Sequence, residues 1–127
     1  MSEIILNDAQ KKEFAEKIMD YLQKRDLFFE VNIYTGKEHF SDDPGKNREK
    51  RTTEKNTVYY AEEYNGCPCE YNNPDTLTMT FEGPLYHEMN EGSWDSPKCA
   101  YHALNEIAEK YGLYHEMGYA WSLAFYS

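Results

Sequence analysis

Positive charge almost disappears from the second half of this chain. Residues 56–127 hold two basic side chains, Lys98 and Lys110, against 11 acidic ones, a difference of −9. Residues 1–55 hold 11 basic and 12 acidic, a difference of −1, and together the halves give the net charge of −10. Such a field repels nucleic acid, so direct binding to DNA or RNA is not expected, and it favours a basic protein partner. Solubility alone also accounts for an acidic surface, and that reading stands beside the first. Long apolar runs are missing too. Nothing approaches the roughly 18 to 20 residues that span a bilayer, so no membrane partner is expected. The start, MSEIILNDAQKKEF, lacks the basic-then-apolar order of a secretion signal. The expected compartment is the cytoplasm, where the three cysteines are reduced thiols or metal ligands rather than disulfides. There is no Gly-rich phosphate loop and no serine elbow.

What is present argues for one folded domain. The chain has 127 residues, 40% of them hydrophobic and 16% aromatic, enough for a single modest core. Tyrosines outnumber tryptophans 12 to two, a choice that suits half-buried sheets and contact surfaces.

The pentapeptide Leu-Tyr-His-Glu-Met occurs twice, at 85–89 and 113–117. Each copy holds the first half of the helical zinc-protease motif His-Glu-x-x-His, whose two imidazoles must lie one turn apart. The copies continue as His87-Glu88-Met89-Asn90-Glu91 and His115-Glu116-Met117-Gly118-Tyr119, and neither supplies the second histidine. Two copies of five residues do not make a repeat protein. No catalytic signature follows, and no enzyme is expected.

Periodicity gives the elements. Asn7 and Gln10 form a helix-start pair, and Phe14, Ala15, Ile18, Met19 and Leu22 recur at helical spacing to about Lys24. LFFEVNIY alternates as a strand, with Leu27, Phe29, Val31 and Ile33 on one face. The charged, turn-rich segment 36–56 reads as a long mobile loop, basic between Lys46 and Lys55. TVYYAEEY (57–64) and TLTMTFE (76–82) are two further strands, and LYHEMNEGSW after Gly83-Pro84 reads as a helical turn. Ser96-Pro97 opens a second helix that Gly112 closes, with Ala100, Ala103, Leu104, Ile107, Ala108 and Tyr111 in its buried stripe. Trp121, Leu123 and Phe125 alternate as a final strand. The order α-β-β-β-α-β predicts an α+β domain, helices packed on a mainly antiparallel sheet.

Cys67-Pro68-Cys69 and Cys99-Ala100-Tyr101-His102 carry the metal-ligand chemistry. Zinc takes four tetrahedral ligands from thiolates and imidazoles. A Cys-x-Cys turn can aim two thiols at one ion, and a cysteine in the first turn of a helix is favoured as thiolate. The expectation is a structural zinc on Cys67, Cys69, Cys99 and His102. His87, His115 and Asp95 remain alternatives for the fourth ligand. Three ordinary reduced thiols are the competing reading.

The combination PDTLTMTFEGPLYHEMN, a helix ending in KYG, and LYHEMGYAWSLAFY resembles small proteins of phages and mobile elements of Gram-positive gut bacteria. That group includes anti-CRISPR inhibitors of type II RNA-guided nucleases. The resemblance covers roughly residues 57–126 and no diagnostic motif within them. It implies an acidic binding protein in the bacterial host cytosol that blocks target-DNA loading by occupying a positively charged channel. Glu62, Glu63, Glu70, Asp75 and Glu82, with Tyr59, Tyr60 and Tyr71 between them, are the expected partner contacts. The alternative is a metal-stabilised prophage or host interaction domain with another basic partner.

Overall fold

The computed structural model describes residues 4–42, 49–52, 58–63, 72–91 and 99–127. Helix α1 (Asp8–Lys24) begins as its sequence requires: Gln10 N–H donates to Asn7 Oδ1 at 2.8 Å, and Asn7 N–H donates to Gln10 Oε1 at 3.0 Å. This reciprocal pair satisfies two backbone donors that have no partner within the helix. Its apolar stripe, Phe14 to Leu22, is fully buried.

Strands β1 (Val31–Tyr34), β2 (Glu38–Ser41), β3 (Glu49–Thr52), β4 (Val58–Glu63) and β5 (Thr78–Phe81) follow. Helices α2 (Pro84–Glu91) and α3 (Ala100–Glu109) come next, then β6 (Tyr114–Met117) and β7 (Ser122–Tyr126). Among the described residues, seven strands form one sheet in the order β3-β4-β2-β1-β5-β7-β6, every neighbouring pair antiparallel. The α+β class is as expected.

Several elements differ from expectation: the expected turn after Gly83 is the eight-residue helix α2, β6 is a strand of its own, and β7 begins at Ser122, after Trp121. The segment 36–56 contains β2 and β3. Their charged four-residue sequences, EHFS and EKRT, carry little apolar alternation, and they are strands because β1 and β4 supply hydrogen-bonding edges. The strand expected over 27–34 is limited to 31–34. Asp26 (φ 54°) and Glu30 (φ 57°) adopt left-handed backbone and break the alternation, so Leu27 and Phe28 turn into the core while Phe29 is 54% exposed. Helix α3 is described from Ala100 with Cys99 as its N-cap, and Ser96-Pro97 lies outside the described residues.

Val31, Ile33, Phe40, Met79, Phe81, Leu123 and Phe125 share the sheet face that joins α1 and α3 in the core. The Phe14 ring meets those of Phe125 and Tyr111 at 4.7 Å each. The opposite face is polar yet largely buried, with the half-buried Asn32 and the buried His39, Ser41, Thr78, Thr80 and Ser122 brought together by the strand register. His39 Nε2 lies 2.7 Å from Asn32 Oδ1, and Asn32 Nδ2 donates to Thr80 Oγ1 at 3.3 Å.

Candidate functional site

The register collects one set of strand ends. Asn32 pairs with Ser41, Val31 with Phe81, and Thr80 with Ser122, so the start of β1, the ends of β2 and β5, and the start of β7 lie side by side. Four carboxylates sit on the segments that leave these ends: Asp26, Glu30, Asp42 and Glu82. Asp26, Glu30 and Glu82 are exposed and Asp42 is half-buried. Two exposed aromatics, Phe29 at 54% and Trp121 at 38%, accompany them. Three strand spacings of about 4.8 Å separate β2 from β7, a rim roughly 14 Å long.

Backbone contacts fix this rim. Asp42 accepts from Glu30 N–H at 3.1 Å and from Val31 N–H at 3.2 Å. Glu82 N–H donates to the Glu30 carbonyl at 3.1 Å, and Phe81 N–H donates to the Trp121 carbonyl at 2.8 Å. Gly83 is needed here: a Cβ at that position would stand 2.6 Å from the Phe29 carbonyl oxygen. The Trp121 indole stacks on Tyr119, centroids 4.9 Å apart and planes within 12°.

The nearby cations are engaged elsewhere. Lys24 pairs with Asp20 at 3.3 Å, and Arg25 reaches Glu88 at 2.9 Å. The Glu88 carboxylate raises the Arg25 pKa above its ordinary value. Among the described residues, no basic side chain pairs with Asp26, Glu30, Asp42 or Glu82. The chain matches no protein-family model, no curated protein and no solved structure.

The expected partner contacts do not form one patch. Glu82 belongs to the rim. Tyr59, Tyr60, Glu62 and Glu63 lie on β4, with Tyr60 opposite Ser41 toward the rim end and Glu63 opposite Glu38 at the other end of the sheet. Asp75 precedes β5 at that same far end, half-buried, its carbonyl accepting from Leu6 N–H at 2.9 Å. Glu70 and Tyr71 lie outside the described residues. Sequence reasoning missed Asp26, Phe29, Glu30, Asp42 and Trp121 as a group, because alternation assigned Phe29 and Trp121 to strand faces. The signal was there in DLFFE, two adjacent phenylalanines flanked by acids.

Of the expected zinc ligands, Cys67 and Cys69 lie outside the described residues, as does Asp95. Cys99 is buried as the α3 N-cap, and His102 is half-buried one turn along. The first free N–H of α3, on Ala100, donates to Glu88 Oε1 at 3.2 Å. A carboxylate anchored by Arg25 thus occupies the favourable position at this helix start. Among the described residues, no group of three or more His, Cys, Asp or Glu side chains could hold a metal ion. His87 is exposed on α2. His115 is 4% exposed on β6, and neither ring nitrogen finds a hydrogen-bond partner. Among the described residues no helix is long and apolar enough to cross a membrane.

Proposed function

We propose that this protein acts by binding a basic protein surface through the acidic, aromatic rim at the strand ends. The observation that carries this reading is the gathering of four carboxylates and two exposed aromatics on one fixed edge, with no described basic side chain pairing with the carboxylates. Charge of one sign speeds encounter with a cationic surface, and aromatic anchors supply the contact area that holds a complex. The activity is binding rather than chemistry.

The partner proposed from the sequence resemblance is a type II RNA-guided nuclease, whose DNA channel is positively charged. Purified protein is then expected to stop a guide-loaded nuclease from binding its target DNA in a gel shift. Inhibition should weaken as ionic strength rises and exposed charges are screened. It should also be lost in the double variant Glu30→Gln, Glu82→Gln. Unchanged DNA binding at high molar excess would eliminate that nuclease as the partner. Inhibition that persists in the rim variant would move the contact to another face, such as the β4 end with Glu62 and Glu63.

A structural zinc on Cys67, Cys69, Cys99 and His102 remains part of the proposal. It would tie residues 67–69 to the start of α3. Elemental analysis should find one equivalent of zinc that is lost in Cys67→Ser. Folded protein purified without metal would remove the zinc from the proposal.

A further inference from the structure

A cavity of about 350 Å³ opens at the corner of the rim where α1 runs into β1, lined by Gln23, Asp26, Phe28, Phe29 and Asp42. We propose that it receives a single arginine side chain from a basic protein segment, with Asp26 and Asp42 taking the guanidinium charge, Phe29 covering a flat face and the edge of Phe28 closing the floor. This rests on the binding reading for the class of partner but not on the nuclease as its identity.

Size sets the first limit. The volume lies at the small end of ligand sites and has room for a long side chain, whereas a helix about 10 Å across does not fit. Lining chemistry sets the second. Two carboxylates beside two aromatic rings match a cation that also presents a π-face, which is guanidinium more than ammonium. The acceptors come from different elements, Asp26 from the turn after α1 and Asp42 from the end of β2. An arginine carries five N–H donors in a rigid fork and can reach both at once, while a lysine ammonium is a single point.

Fixation of the walls is the third argument. Both Asp42 oxygens already accept a backbone N–H, from Glu30 and Val31, which holds the carboxylate in place and leaves further lone-pair sites for a donor. Phe28 is 5% exposed and part of the core, so its ring belongs to the rigid body of the protein. Phe29, by contrast, leaves more than half its surface in water, and an incoming guanidinium would cover it. A receptor assembled before binding spends little ordering entropy on its ligand.

The test uses the full chain and three blocked tripeptides, Gly-Arg-Gly, Gly-Lys-Gly and Gly-citrulline-Gly, followed by chemical-shift titration. The arginine peptide should give saturable shifts centred on Asp26, Phe28 and Phe29. The lysine peptide should bind more weakly and the uncharged citrulline peptide not at all. At these exposed positions, Asp26→Asn should weaken arginine binding by about tenfold, the scale of one hydrogen bond to a charged group, and Phe29→Ala by roughly two- to fivefold, the scale of an exposed cation–π contact. Asp42→Asn is avoided because Asp42 also holds the β1 backbone. Absence of saturable shifts, citrulline binding equal to arginine, or shifts lying outside the cavity would each overturn the proposal. Arginine binding with no effect on the nuclease leaves the cavity assigned and removes only that partner. Loss of partner binding in the rim variant without arginine binding would keep the rim and remove the cavity's role.

Discussion

His115 makes stability depend on pH in a way that one substitution should abolish. Its ring is buried between the Tyr101 ring at 4.5 Å and the Phe125 ring at 6.3 Å, with both nitrogens unpartnered. Burial, reinforced by the facing charge of His102, pushes its pKa down from 6.5 to about 4. The unfolded chain therefore holds a proton on this residue between about pH 4 and 6.5 that the folded chain refuses. Stability is fully present above 6.5 and falls as pH drops through that window. At about 1.4 kcal/mol per pH unit the whole loss amounts to roughly 3 kcal/mol, of which about 2 kcal/mol is reached by about pH 5. A marginally stable domain cannot spare much of that. Urea unfolding of wild type and His115→Leu across this range isolates the effect, since the other titrating groups are common to both. At pH 7 the variant should be near wild type or more stable, because an apolar side chain replaces two unsatisfied nitrogens. By about pH 5 it should gain about 2 kcal/mol relative to wild type. Parallel profiles, or an imidazole titrating near its ordinary value in the folded protein, would refute the reasoning.

Asn7→Ala should cost about 1 kcal/mol by urea unfolding, because it removes one half of the reciprocal cap on α1. Gly83→Ala should cost about 1–3 kcal/mol, since its new methyl meets the Phe29 carbonyl oxygen and the rim backbone must shift; a neutral effect would mean that Phe29 is free to move away. Phe14→Ala should cost about 3–5 kcal/mol, the loss of a fully buried ring that contacts both Tyr111 and Phe125.

The helices and the core strands were legible because their signals are local. The Asn7–Gln10 pair and the stripe from Phe14 to Leu22 lie within one helix, and α1 forms where they place it. Leu123 and Phe125 are buried as alternation requires, whereas Trp121 lies just before β7 and is exposed. β2 and β3 were not legible, since β2 offers a single apolar residue, Phe40, and β3 none, so both are stabilised mainly by the edges they pair with, and those edges come from elsewhere in the chain. The rim was illegible for the same reason. Asp26 and Trp121 are distant in sequence, and only the antiparallel register brings their segments to one end of the sheet.

The repeated pentapeptide shows where the division falls. In α2, Leu85 and Met89 are one turn apart and both fully buried, while His87 is exposed and Glu88 reaches Arg25 and the start of α3. In the second copy, Leu113 and His115 point inward, Tyr114 and Glu116 outward, and 114–117 forms β6. The same five residues satisfy a helical period through positions one and five, and a strand period through positions one, three and five. Sequence alone determined that this chain would be one acidic α+β domain. Tertiary structure decided the rest: the unpaired edge of β7 drew the second copy into the sheet, α3 packed against the first as a helix, and the surrounding contacts outweighed local propensity.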